Sequence, residues 1–333
     1  MGQRRTAFSL MFLAVAVASS GVARGQSKAP LFQLKGKTYS AADVSTAIQQ
    51  TLFDVESERY QKLKQVVEGA MLDVHFDEEA KKKGKSKKEV EDAALTVKDP
   101  DEKELKEFYE QNKARVPYKF EDVKGEIKNF VIAQKKQEKR QKLLEDLKKS
   151  GQAQVLLTEP DAPIVSIDTL NYPTKGKKDA KVTVVEFADY QCPHCKAAQP
   201  MMAKIVDSYK SKIKFVYMDY PINPSKISRT VAEGAQCAAE QDKYWEYHQM
   251  AFDKQAELAN DSPAKLADTL KLNKDAFKKC MDEGKGKSMV DKSQAEGTRI
   301  GVGGTPTIFI NGKRIAGHGE DQIRDAIEKA LKG

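Results

Sequence analysis

The residues best able to do chemistry gather at Cys192-Pro193-His194-Cys195. Two cysteines separated by two residues, placed directly after a β-branched run and at the start of a helical pattern, read as a redox pair. The position favours an anion: a sulfur at a helix N-terminus faces unpaired backbone N–H groups and the positive end of the helix dipole. The Cys192 thiolate is therefore expected to be stabilised. Pro193 suits the first helical turn, where its missing N–H is no loss. His194 brings positive character or a donor to the same sulfur. A stabilised thiolate means a stabilised reduced form, hence an oxidising disulfide that is readily passed on. Cys195, one turn inward, would be the less exposed sulfur that resolves a mixed disulfide. A zinc site would want a second Cys or His pair, and the other cysteines, Cys237 and Cys280, stand 43 residues apart. A c-type haem needs histidine after the second cysteine, where this chain has Lys196. The competing structural disulfide across two residues at a helix start would be strained. No metal and no cofactor are expected beyond the Cys192–Cys195 disulfide itself.

Around this pair the chain alternates strand and helix. Val182-Thr183-Val184-Val185-Glu186-Phe187 reads as a buried strand, followed by a helix from Pro193 to about Tyr209 and a strand at Ile213 to Met218. Helices run from about Ser225 to Arg299. Thr307 to Ile310, the turn Asn311-Gly312, and Arg314 to Ala316 form a hairpin, and a last helix occupies about Glu320 to Leu331. Pro160, Pro163 and Pro173-Thr174-Lys175-Gly176 mark a join to the preceding half. The order is βαβ, an all-helical insertion, then ββα.

VVEFADYQCPHC and, over a hundred residues later, GVGGTPTIFING together resemble the DsbA-like branch of the thioredoxin superfamily, over about residues 163–333. The resemblance implies Cys192 as nucleophile, Cys195 as its partner, and Thr305-Pro306 as the loop whose proline is cis and faces the sulfurs. An X–Pro amide makes the cis form accessible at about 0.5–1 kcal/mol, and the Thr305 backbone is left to pair with an extended substrate. Glu186 matches the family's buried acid under the active site. Its apolar neighbours Val184, Val185 and Phe187 agree with burial, from which it could relay a proton for Cys195. Cys237 and Cys280 make an even count in an oxidising compartment, which favours a structural bond, and some DsbA-like relatives carry such a second disulfide. His248 and Trp245 read as core; His75 and His318 have no assigned role.

Residues 27–157 have a helical character. Leu63, Val66, Val67, Ala70, Met71 and Val74 recur at three- and four-residue spacing, one apolar stripe that predicts a packed helix face. Ser86 to Glu89 forms a capping box, and Asp99-Pro100-Asp101-Glu102 predicts a helix start near 100. Phe120 to Lys149 predicts a single helix about 45 Å long, with Ile127, Phe130, Val131, Leu143, Leu144 and Leu147 on one face. Its charged middle makes it a solvated arm or part of an open cradle. Lys35 to Ser40, the turn Glu79 to Ser86, Glu107 to Asn112 and this long helix resemble the helical chaperone domain of SurA-type peptidyl-prolyl isomerases, without the parvulin domain that would carry isomerase activity. The resemblance implies a cradle for unfolded chains or an oligomerisation arm. The expected fold class is α+β: a thioredoxin-like fold with an all-helical insertion at about 225–299, preceded by a mostly helical chaperone-like domain.

The 333 residues carry a net charge of +8, but residues 27–160 hold 27 basic against 25 acidic side chains and residues 161–333 hold 27 against 24. So even a mixture lacks the single-sign stripe that nucleic acid requires. Residues 1–23 read as a signal peptide: Arg4-Arg5, the apolar run Ala7 to Ala18, and small residues allowing cleavage near Ala18 or Ala23. An uncleaved anchor is the competing reading, against which stands the shortness of the run beside the roughly 20 residues of a membrane span. The expected location is the periplasm or outside the cell. The expected function is disulfide introduction or exchange in secreted or periplasmic proteins, with unfolded or cysteine-containing clients, a membrane redox partner and a possible homo-oligomer. A disulfide isomerase or reductase, kept reduced and dimerised by the N-terminal half, and a holdase chaperone are the alternatives.

Overall fold

The computed structural model describes residues 29–113, 116–317 and 319–333; the expected signal peptide and His318 lie outside the described residues. Among the described residues no helix is long and apolar enough to cross a membrane.

The chain opens with a hairpin, β1 (Pro30–Leu34) and β2 (Lys37–Ser40), whose Leu31, Phe32 and Leu34 are exposed. Four helices follow. α1 (Thr46–Lys83) starts at a Ser45 side chain that accepts from the Ile48 N–H and stops at left-handed Gly84. α2 (Lys87–Ala94) begins at the Ser86–Glu89 capping box. α3 (Glu102–Asn112) is capped by Asp101 rather than Asp99, so it starts two residues later than the proline suggested. The Asp101 side chain reaches the Glu104 N–H, and Pro100 stays outside the helix. α4 (Phe120–Lys149) is continuous. Its first half packs on α3 through Leu105, Tyr109, Val123, Ile127 and Val131, and its last turns pack on α1 and α2 through Leu72, Phe76, Val90, Leu95 and Leu144. The middle of α4 is largely exposed, and Phe130, expected on its packed face, is exposed as well.

The apolar stripe of α1 is not where the sequence placed the core. Leu63, Val66 and Val74 are 41%, 69% and 56% exposed, while Leu72, Phe76 and Ala80 form the buried line. Periodicity identifies an apolar side of a helix but not whether a partner covers it. Here α2 and the end of α4 bring enough apolar residues to cover only one line.

The second half is built on a five-stranded sheet, ordered β3-β5-β4-β6-β7. The residues read as a join supply β3 (Thr174–Gly176), an edge strand antiparallel to β5 (Ile213–Asp219); three residues are too short for a pattern. β4 (Val182–Ala188) runs parallel to β5 and antiparallel to β6 (Thr307–Ile310), and β7 (Lys313–Arg314) is the far edge. The β6–β7 turn has φ of +48° at Asn311 and +77° at Gly312, the two positive values that Asn-Gly supplies best. α5 (Pro193–Tyr209) joins β4 to β5. Five helices lie between β5 and β6: α6 (Ile227–Ala239), α7 (Tyr244–Asp253), α8 (Ser262–Thr269), α9 (Lys274–Asp282) and α10 (Lys285–Arg299). α11 (Glu320–Lys332) ends the chain. One large core joins one face of the sheet to α5, α6, α7 and α11, with Ile205, Tyr217, Tyr247, Phe252 and Ile327 buried, and a smaller one covers the other face around Phe187, Met218, Ile300 and Phe309. Each such side chain contributes about 1.5–3 kcal/mol by leaving water, so this half has by far the larger apolar stabilisation.

Candidate active site

β4 delivers its chain directly into the Cys192 turn. Cys192 is the N-cap of α5, with φ −74° and ψ 120°, and Pro193 occupies the first turn. The Cys195 N–H points at the Cys192 sulfur, 3.4 Å away, one of the unpaired amides that a helix start presents to an anion. The two cysteines are free thiols, Cys192 half-buried and Cys195 fully buried. Burial pushes the Cys195 thiol well above its ordinary range, which keeps it protonated as a thiol. Pro193 and His194 are exposed at the rim.

Across from the pair, the Thr305–Pro306 peptide is cis, and the Thr305 carbonyl accepts the Cys192 S–H at 3.3 Å. The topology brings this about: β6, which begins at Thr307, pairs with β4, so the loop before β6 and the helix after β4 meet at one end of the sheet. Glu186 lies beneath, on the central strand between Tyr217 of β5 and Ile308 of β6. It is fully buried, neither carboxyl oxygen has a hydrogen-bond partner among the described residues, and burial raises its pKa to about 8. A carboxyl with that value is mostly protonated at neutral pH and can give up or take back a proton. Thus Cys192, Cys195, Pro193, His194, Thr305 and Pro306 stand at one end of the sheet, and Glu186 lies within the strand that leads to them. Cys237 and Cys280 do not join them; they are bonded to each other between α6 and α9.

Three further residues hold the cysteine turn, and the sequence singled out none of them. The Asp189 carboxylate, 2% exposed, accepts from the backbone N–H groups of Gln191, Ile222 and Asn223 and from the Ser228 hydroxyl. It thereby ties the turn to the loop after β5. Gln191 accepts from the Ser225 hydroxyl and the Ser228 N–H. Gln255, from the segment after α7, donates to the carbonyls of Tyr190 and Cys192, both at 2.9 Å. Asp189 and Gln191 stand inside the ADYQCPHC run, where an acid just before the turn was the available signal. Gln255 is 63 residues downstream of Cys192 and carries none. His248 is core, as Tyr190 and Gln199 hydrogen-bond its two ring nitrogens and burial lowers its pKa to about 3.

A family model described as Thioredoxin matches residues 168–329. Disulfide bond formation protein D of Bacillus subtilis is 32% identical over 173 residues, which span 48% of this chain and 78% of that protein. The chain belongs to the DsbA-like thiol–disulfide oxidoreductases of the thioredoxin superfamily. The solved structure of oxidised BdbD from Bacillus subtilis shares 30% identity over all of that chain and 52% of this one, with a TM-score of 0.48. A Na(+)/H(+) antiporter, NhaA 3 of Salinispora tropica, is 32% identical over 155 residues, and the chain spans only 24% of that protein's length. DsbA-like proteins use a redox-active disulfide rather than a bound cofactor. Among the described residues no group of three or more His, Cys, Asp or Glu side chains is placed to hold a metal ion.

Proposed function

We propose that the chain is an exported oxidoreductase that introduces or exchanges disulfides in secreted or periplasmic proteins through Cys192 and Cys195. In the oxidised form a client thiolate attacks the more accessible Cys192 sulfur, and the Cys192–Cys195 bond breaks. Cys195 leaves as a thiolate and takes a proton, for which Glu186 is the buried source. The second client thiolate then attacks the client's own sulfur in the mixed disulfide, releasing Cys192 as a thiolate. The client has lost two electrons and two protons and gained one disulfide; the 192–195 pair has gained both electrons. An oxidant at the membrane, as in the resemblance, would return the pair to the disulfide.

The observation that carries this reading is the Cys192 sulfur at the start of α5, 3.3 Å from the Thr305 carbonyl on the cis-proline loop. An extended client can pair with that backbone while its sulfur meets Cys192. Replacing Cys192 by Ser tests it. Oxidation of a reduced two-cysteine model protein should fall at least a hundredfold, and a variant that still works at the wild-type rate sinks the proposal.

A second reading concerns α1–α4. The exposed stripe Ile48, Val55, Leu63, Val66 and Val74 runs about 39 Å along α1, and it supports a client-holding role for apolar segments of unfolded chains. Such a role would make the molecule a holdase in addition to an oxidoreductase.

A further inference from the structure

The loop that carries Thr305 is poor in internal restraint. Gly301, Gly303 and Gly304 stand in six residues, and nothing lies within 4 Å of where a β-carbon on Gly303 or Gly304 would be. Glycine populates more backbone conformations than any other residue, so the loop must be steadied from outside. Val302 is one anchor, buried, with its N–H on the Gly297 carbonyl and its own carbonyl accepting from the Tyr220 hydroxyl, and the Thr307 hydroxyl donates to the Gly304 carbonyl at 2.7 Å. At Gly301 the restraint comes from the helical N-terminal region. At Gly301, whose φ is +83°, a β-carbon would meet Gln50 Cβ at 2.9 Å and Ala47 Cα at 3.0 Å, so the first turns of α1 lie directly on the loop. Gln50 is fully buried there, its amide unpaired among the described residues. One guanidinium bridges the two parts: Arg314 Nη1 of β7 is 2.9 Å from Asp54 Oδ2 of α1 and donates to the Gly301 carbonyl at 3.3 Å. The Arg314 side chain is only 14% exposed. Arginine can serve a carboxylate and a carbonyl at once because its donors are fixed in a planar fork.

We infer that the start of α1, through Gln50 and the Asp54–Arg314 bridge, positions the Gly301–Pro306 loop for docking of an extended polypeptide thiol. Asp54 and Arg314 are positioning residues. They act through Gly301 on the Thr305 backbone, which a peptide client needs and a small dithiol does not. The inference rests on the proposed disulfide exchange at Cys192 and adds to it a role for the helical region at the same site.

The test uses the full chain and two reductants, a reduced two-cysteine peptide and dithiothreitol. Arg314→Met should raise KM for the peptide five- to tenfold with kcat within twofold, while dithiothreitol is oxidised within twofold of the wild-type rate. Asp54→Asn should act in the same direction, and the double variant should be no worse than Arg314→Met alone, because both remove one bridge. Arg314→Lys, which keeps the charge, should bring the peptide KM back to within threefold of wild type. Asp54 is partly exposed, so Asp54→Asn gives the answer if Arg314→Met does not fold. An unchanged peptide KM in Asp54→Asn overturns the inference. So does an equal loss toward peptide and dithiothreitol, which would make the bridge a support for the whole redox module. A wild-type chain that oxidises neither reductant overturns the disulfide-exchange reading instead, and this inference with it.

Discussion

The two halves of the molecule use opposite means to hold together. The sheet and its helices enclose a continuous apolar interior on both faces, with central strands whose side chains are almost wholly buried. The helices α1–α4 share two small clusters at opposite ends of α4. Between the clusters they are linked by partly exposed ion pairs, Lys135 to Glu104 and Arg140 to Glu91, and at the end of α4 Lys148 pairs with Glu68. Such pairs contribute about 0–1 kcal/mol each and weaken with salt. The redox half thus sets its two sulfurs at the end of a packed sheet, while the loop that brings the Thr305 carbonyl to Cys192 is met by the start of α1. The helical half leaves apolar surface open along α1.

The largest effect should separate the two halves. Phe309 is fully buried and meets Phe187 edge-on at 6.0 Å; Phe76 is 1% exposed in the α1–α2–α4 cluster. Either residue replaced by Ala should cost about 3–5 kcal/mol, but in different places. Trp245, the single tryptophan, sits against Phe215 in the redox half, so its fluorescence reports that half alone. In urea, Phe309→Ala should shift the fluorescence transition and reduce dithiothreitol oxidation. Phe76→Ala should instead bring an early loss of helical circular dichroism while Trp245 and dithiothreitol oxidation stay within twofold of wild type. One coincident transition for Phe76→Ala would break the comparison.

A pH-dependent effect tests the cost of the buried acid. Burial moves the Glu186 carboxyl from 4.5 in the unfolded chain to about 8 in the fold. Between those values the folded state binds more protons than the unfolded state, so Glu186 lowers stability as pH rises through that window and adds no penalty below it. Glu186→Gln mimics the protonated form. It should match wild type near pH 4 and be more stable at pH 9 by several kcal/mol, about 1.4 kcal/mol for each unit between the two values. Urea midpoints at the two pH values read this directly. Equal midpoints at pH 9 would place an ionised, solvated carboxylate at this site.

Much of the redox half was legible in the sequence because its cues are local. A β-branched run, a proline at a helix start, Asn-Gly in a turn and Cys-x-x-Cys each fix their own few residues, and the strands and helices fall where those cues stand. What escaped depends on partners far along the chain. Gln255 reaches the cysteine turn from 63 residues away, and β3 exists only because β5 lies beside it. Asp54 and Arg314, 260 residues apart, meet only in the folded chain. The α1 stripe misled for the same reason. Its spacing marks one apolar side, but the supply of covering residues on α2 and α4 is a property of the assembled region.

That stripe gives the smallest effect on stability and the sharpest test of the comparison. Val66 is 69% exposed and Val74 56% exposed, so serine at both positions removes little buried area. Thermal unfolding should move by less than about 0.5 kcal/mol equivalent per site. Were the stripe an ordinary solvent face, nothing else would change. If it holds apolar segments of unfolded chains, Val66→Ser with Val74→Ser should at least halve the suppression of aggregation of a reduced, unfolding client, since each valine offers about 1.5–3 kcal/mol of burial to a covering partner. The effect should persist when Cys192 and Cys195 are both replaced by Ser, because apolar contact with α1 needs no sulfur. Suppression unchanged by the double serine variant would leave the helical half only its positioning contact at Gly301, and the open surface of α1 would then need a different occupant.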